Sequence, residues 1–191
     1  MRSSGSTASP LDDRSLLLTA ALLALALAGW MVRHPFLGII HDNVLYALQA
    51  LRYNDPATFG GDLFFRYGSQ DSFTLFSPLY AGLIRLLGLG AATKALVMLG
   101  QLLWIIAAAA LTRAIVPKPF TALALLIVAT SGTIYGGNFL FGVGEGFVTP
   151  RLFCEALSLG SLAAFLAARH GLVAVLLVLA ALLHPLMVPA P

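Results

Sequence analysis

His41-Asp42-Asn43-Val44-Leu45-Tyr46 opens the stretch on which the reading of this chain turns, and Ser77-Pro78-Leu79 closes it. Between them come Asn54-Asp55-Pro56, Gly60-Gly61-Asp62 and Asp71-Ser72. Residues 41–79 are the only long segment that is not mostly apolar, and they carry Asp42, Asp55, Asp62 and Asp71, half of the eight carboxylates. Of 191 residues, 59% are hydrophobic and 10% charged, with a mean hydropathy of +0.91; a soluble domain carries about 25% charged residues. Too few polar groups remain to clothe a globule in water. The apolar excess must therefore face lipid while the backbone satisfies itself as helices. Richness in Leu and Ala favours helices over a barrel, so the expected fold class is all-α and polytopic.

On the amino-terminal side, residues 1–14 begin small and polar and read as a disordered cytoplasmic tail. A single membrane domain, 15–191, follows. The first apolar run, 15–32, has about the ~20 residues that cross a bilayer core. Ala26-Leu27-Ala28 before Gly29 also fits a cleaved signal peptide, but the run is long and further spans follow it. On the carboxyl-terminal side, spans are predicted over 93–111, 119–135, 150–168 and 171–190, five in all. The outer loop, 33–92, holds two helices predicted to lie in the interface. In one, Val44, Ala47, Leu48 and Leu51 recur at helical spacing. The other, over 72–89, contains Pro78 and Arg85, and an arginine at mid-bilayer costs about 2.5–3.5 kcal/mol. The chain stops at Val188-Pro189-Ala190-Pro191 with no polar anchor, and this reads as a truncated end.

The eleven Lys and Arg residues stand singly between apolar runs, which argues for loop charges and against a nucleic-acid surface. An alternating path puts Arg2, Arg14, Arg113, Lys118 and Arg169, with Asp12 and Asp13, on one side. That short, basic set marks the cytoplasmic face by the positive-inside rule. The long acidic loop then faces outward from a multi-pass protein of the cell (inner) membrane. Cys154 is alone and says nothing of redox compartment.

Asp42 begins the first interfacial helix, where a carboxylate either caps the helix or acts chemically, taking a proton from a hydroxyl or binding a metal. Arg151 and Glu155 are four apart and share a helix face. They either pair locally, or Arg151 at the helix start helps to hold a lipid phosphate. His184-Pro185 breaks the last span, and an ionisable group inside a membrane is a functional candidate. Gly142-Val143-Gly144-Glu145-Gly146 follows no soluble strand and reads as a flexible outer turn, not a phosphate loop.

Asp42-Asn43-Val44-Leu45-Tyr46-Ala47, Asn54-Asp55-Pro56, Ser77-Pro78-Leu79 and the later Leu87-Gly88 together resemble the first outer loop of the membrane-embedded type-C glycosyltransferases. They are most similar to the bacterial branch that uses polyprenyl-phosphate sugars. In layout the resemblance covers residues 15–187. It implies that Asp42 is the catalytic acidic position and that Tyr46 is the tyrosine following it. The second acidic position of the motif is Asn43 here, and no lysine precedes Pro78. The implied function is transfer of a sugar from a polyprenyl-phosphate donor to an outward-side acceptor, with Arg151 and Lys94 or Arg85 on the phosphate. Metal ligands stay unassigned, with a divalent cation as the open option for a cofactor. Asp42, Arg151 and His184 are expected to line one outward cleft, with Glu145 or Glu155 at its rim. A transporter or a non-catalytic membrane component is the rival class. A transporter would carry broken or charged helices at mid-membrane, whereas these charges sit near span ends.

Overall fold

The structure is a computed structural model, and it describes residues 10–69, 71–132, 134–135 and 141–187. Of the disordered tail expected over residues 1–14, residues 1–9 lie outside that range, as do the last four residues of the chain, and residues 10–14 are helical instead. In chain order the elements are α1 (Pro10–Arg33), α2 (Asp42–Asn54), α3 (Pro56–Phe59), α4 (Leu63–Tyr67), α5 (Phe76–Leu87), α6 (Leu89–Ile115), α7 (Thr121–Thr130), β1 (Ile134–Tyr135), β2 (Phe141–Gly142), α8 (Pro150–Leu166) and α9 (His170–Leu183). The β1–β2 ladder is a two-residue antiparallel pairing. The protein is otherwise helical.

Arg14–Arg33 and Leu89–Ile115 are the two described helices long and apolar enough to cross a membrane. The segments expected as third, fourth and fifth spans form shorter helices of 10, 17 and 14 residues. Local chemistry sets these limits. Pro117 and Pro119 hold Lys118–Phe120 in a 3-10 turn ahead of α7. Pro185 disfavours helical geometry at the residue before it, so His184 turns extended (φ −157°, ψ 90°) and α9 ends there. The break expected within the 171–190 span is thus the end of the helix. Likewise the helix expected over 72–89 stops at Gly88, whose φ of 78° is left-handed.

α1 packs on α7, α6 on α7 and α8, and α8 on α9, while α2 and α5 pack together and onto the amino-terminal half of α6. Hydrogen bonds and an ion pair gather the segment after α1, the starts of α2 and α8 and the end of α9 at one end of the bundle. A core of Ala26, Trp30, Trp104, Ala108, Leu125 and Ala129 joins α1, α6 and α7, with Trp30 stacked on Trp104 at 4.2 Å. The outside is strongly apolar: Leu17 is 70% exposed, Val32 80% and Ile106 55%. Contiguous apolar surface of this extent is foreign to soluble monomers.

The buried face of α2 mixes apolar Tyr46, Ala47 and Ala50 with polar side chains. Val44 and Leu45 are exposed, whereas Asn43 and Gln49 are buried. Gln49 accepts a hydrogen bond from Ser77 Oγ at 3.0 Å, and Asn43 Nδ2 donates to the Gly38 carbonyl at 3.3 Å. These two polar side chains are buried because internal partners satisfy them there.

The end of α8 yields a testable stability effect. Arg169 N donates to Ala164 O and Ala168 N to Phe165 O, the paired bonds of a Schellman motif. The position that this motif usually gives to glycine is Ala168, at φ 54°. Ala168→Gly is expected to stabilise the fold by about 0.5–1 kcal/mol, since glycine adopts that φ without the penalty of a Cβ. Thermal unfolding in detergent would measure it, and a lower Tm would show that helix entropy outweighs the relief.

Candidate functional site

The turn Gly142–Thr149 is built around close approaches. Gly144 has φ 65°, and a methyl group there would collide with the Trp30 ring. Leu37 N bonds to Gly146 O at 2.7 Å, fixing the turn to the segment after α1. Glu155 accepts from Gly144 N at 3.1 Å. Together these place Glu145, Thr149 and Arg151 in the protein interior beside α2.

Thr149 is the N-cap of α8 and Pro150 its first residue, a position where proline's missing N–H costs no helical hydrogen bond. The Thr149 hydroxyl does not cap; it donates to Glu145 Oε2 at 2.6 Å. Arg151 donates to Glu145 Oε1 from Nη2 at 2.9 Å and from Nε at 3.3 Å. Its Nη1 lies 2.8 Å from Asp42 Oδ2, and the guanidinium sits 4.6 Å from the Phe141 ring centroid. One buried cation thus bridges two carboxylates from α2 and from the turn before α8. Its ion pairs go to these two rather than to Glu155, the neighbour four residues on.

Asp42 is the partly open end of this network, with a side chain 30% exposed, while the Arg151 and Glu145 side chains are buried. It is not the cap of α2. That position belongs to His41, at φ 52° with no side-chain cap bond. His41 Nδ1 lies 3.2 Å from Asp42 Oδ1, so Asp42 is held on both oxygens. The left-handed φ of a histidine is uncommon and costs energy; here it accompanies the residue that meets Asp42. By contrast Asp55 and Asp62 are N-caps of α3 and α4, accepting from Thr58 N and Phe64 N, and Asp71 pairs with Arg52 at 3.2 Å. Three of the four loop aspartates therefore hold the loop together, and Asp42 alone joins it to Arg151.

Beside this network is a mostly apolar cavity of about 320 Å³ lined by Tyr46, Phe73, Thr74, Pro150 and His184 among others. Its floor is tied to the end of α9: Thr74 Oγ1 donates to Leu183 O at 2.5 Å and Leu75 N to Leu182 O at 2.8 Å, satisfying carbonyls that a helix end leaves free. Burial pushes the Tyr46 phenol up to about 12, so Tyr46 offers a neutral hydroxyl at physiological pH. His184 Nδ1 is buried and has no hydrogen-bond partner among the described residues.

The structure brings Asp42, Tyr46, Glu145, Arg151 and His184 to one end of the bundle, with Glu155 behind the turn. Asp42 and Arg151 do not line the cavity that holds His184; Tyr46 and Pro150 stand at the junction. Arg85 and Lys94 lie apart. Arg85 donates to Asn54 Oδ1 and to the Tyr53 carbonyl at 3.2 Å, closing the far end of α2, about 18 Å along that helix from Asp42. Lys94 is exposed on α6. The sequence reading did not single out His41 or Thr149 as site residues. His41 was signalled only by its adjacency to Asp42, and Thr149 reads as an ordinary cap. Among the described residues no group of three or more His, Cys, Asp or Glu is placed to hold a metal ion.

No protein-family model, curated protein or solved structure matches the chain.

Proposed function

We propose that the protein is a multi-pass membrane glycosyltransferase-like enzyme, or the amino-terminal part of one, that takes a sugar from a polyprenyl-phosphate donor at the outer face. One observation carries the reading. A partly exposed carboxylate, Asp42, is fixed by a buried arginine and a histidine next to an apolar cavity at the bundle end. A carboxylate held on both oxygens has little freedom to turn away from an acceptor hydroxyl, as a positioned base requires. The apolar walls of Tyr46, Phe73 and Leu186 suit the first isoprene units of a lipid donor. Arg151 is committed to two carboxylates, so its role in this reading is to orient Asp42 rather than to hold the phosphate.

In this reading α1, α6, α7, α8 and α9 all cross the bilayer. Exposed Ile127, Val128, Val175 and Val178 on the shorter helices support this, as does the basic set Arg14, Arg113, Lys118 and Arg169 at the opposite end from Asp42. Reporter fusions after Leu63 and after Lys118 are expected to report outside and inside respectively; both on one side would overturn the five-span topology. The enzymatic reading is tested by supplying the full chain in lipid with a radiolabelled polyprenyl-phosphate sugar and following release of polyprenyl phosphate. No release under any acceptor mixture would remove the transferase class and leave a transporter or a non-catalytic component.

A further inference from the structure

On the side of the charged network away from the apolar cavity lies a second cavity, of about 390 Å³. Its walls include Arg33, His34, His41, Gly132, Glu145 and Phe147. It contains a cation that makes no ion pair among the described residues. Arg33 is exposed at the last residue of α1, and no carboxylate pairs with it among the described residues. The other charges are committed. Glu145 faces the cavity but spends its oxygens on Arg151 and Thr149, and His41 meets Asp42.

The Arg33 guanidinium has a definite seat. It lies against Gly132 so closely that a methyl group on that glycine would occupy its place. The absence of a side chain at the glycine thus leaves room for the tip of the guanidinium. Next to it His34 Nδ1 lies 3.1 Å from the Trp30 carbonyl, and its ring stacks on Trp30 at 3.7 Å. A planar guanidinium that makes no ion pair among the described residues is suited to forked binding of a carboxylate or phosphate.

We propose that this cavity is an oxyanion-binding site, in which Arg33 takes a phosphate or carboxylate group carried on a small polar molecule or a lipid headgroup. The site does not depend on the transferase reading. The same geometry provides its assay, because Trp30 and Trp104 are the only two tryptophans of the chain and they form one stack with His34. Intrinsic fluorescence of the intact protein therefore reports on the cavity wall.

The experiment uses the full chain in phosphatidylcholine nanodiscs, titrated with inorganic phosphate at constant ionic strength, beside nanodiscs containing phosphatidic acid and no free phosphate. A saturable change in tryptophan emission is expected in at least one arm: the phosphate arm for a soluble anion, the phosphatidic acid arm for a headgroup. Arg33→Gln should weaken the response at least about tenfold, the loss of a charge-assisted bond. Gly132→Ala, which keeps the charge but displaces it, should weaken it too. Arg66→Gln, remote on α4, should leave it unchanged. Silence in both arms, or a response that survives Arg33→Gln, would overturn the proposal. The donor-release assay can fail while this titration succeeds, so the two readings fall separately.

Discussion

Replacing Asp42 with asparagine is expected to lower sugar transfer by two to four decades while the protein reaches the membrane in wild-type amount. A positioned base contributes about 10²–10⁴ in rate, which is about 2.7–5.5 kcal/mol of barrier at about 1.36 kcal/mol per decade. Asparagine keeps the shape and one acceptor for Arg151, so the local fold is retained. Because His41 rather than Asp42 occupies the cap of α2, no capping loss confuses the result. Asp55→Asn is the control: that residue caps α3 at the surface, and its replacement should leave transfer intact. Release of polyprenyl phosphate at saturating donor measures both. Wild-type turnover in the Asp42 variant would reduce Asp42 to a structural partner of Arg151.

The second large effect concerns stability. Arg151→Met removes the one cation that pairs with Glu145 among the described residues and leaves that carboxylate buried beside the Thr149 hydroxyl. Breaking a buried pair from one side costs about 3–5 kcal/mol, because the remaining charge keeps its desolvation penalty without a partner. Removing both charges, as Arg151→Met with Glu145→Gln, should recover most of that loss. Denaturant or thermal unfolding in detergent compares the three proteins. A single variant within about 1 kcal/mol of wild type, or a double variant no better than the single, would show that the network does not hold the turn against α2.

The helices were legible where one property decided them. The runs that became α1 and α6 needed only length and hydropathy, and α2 announced itself by period. Its facing was not legible, because the burial of Gln49 and Asn43 depends on Ser77 and Gly38, partners that no local pattern reveals. The ends of α7 and α9 were written in Pro117, Pro119 and Pro185, yet hydropathy windows run through such breaks. At the site, Asp42, Arg151 and Glu145 stood out as charges in an apolar chain. That Arg151 would choose Asp42 and Glu145 over the helical neighbour Glu155 is a tertiary fact. Arg85 misled because a cation in the right loop can serve the wrong end of a helix, here the carboxyl-terminal end of α2.

The pairing of Asp42 with Arg151 also bears on how the protein is made. Asp42 leaves the ribosome on the order of a hundred residues before its partner, an interval of about 5–20 s at ordinary elongation rates. Throughout that time α1 and the polar loop are already synthesised, while the carboxylate that anchors them lacks its arginine. The clasp can close only after α8 is delivered beside α6. Assembly of this end of the molecule is therefore a late event, set by the order of insertion, and a nascent chain halted before residue 151 would expose an unlatched loop to membrane proteases and chaperones.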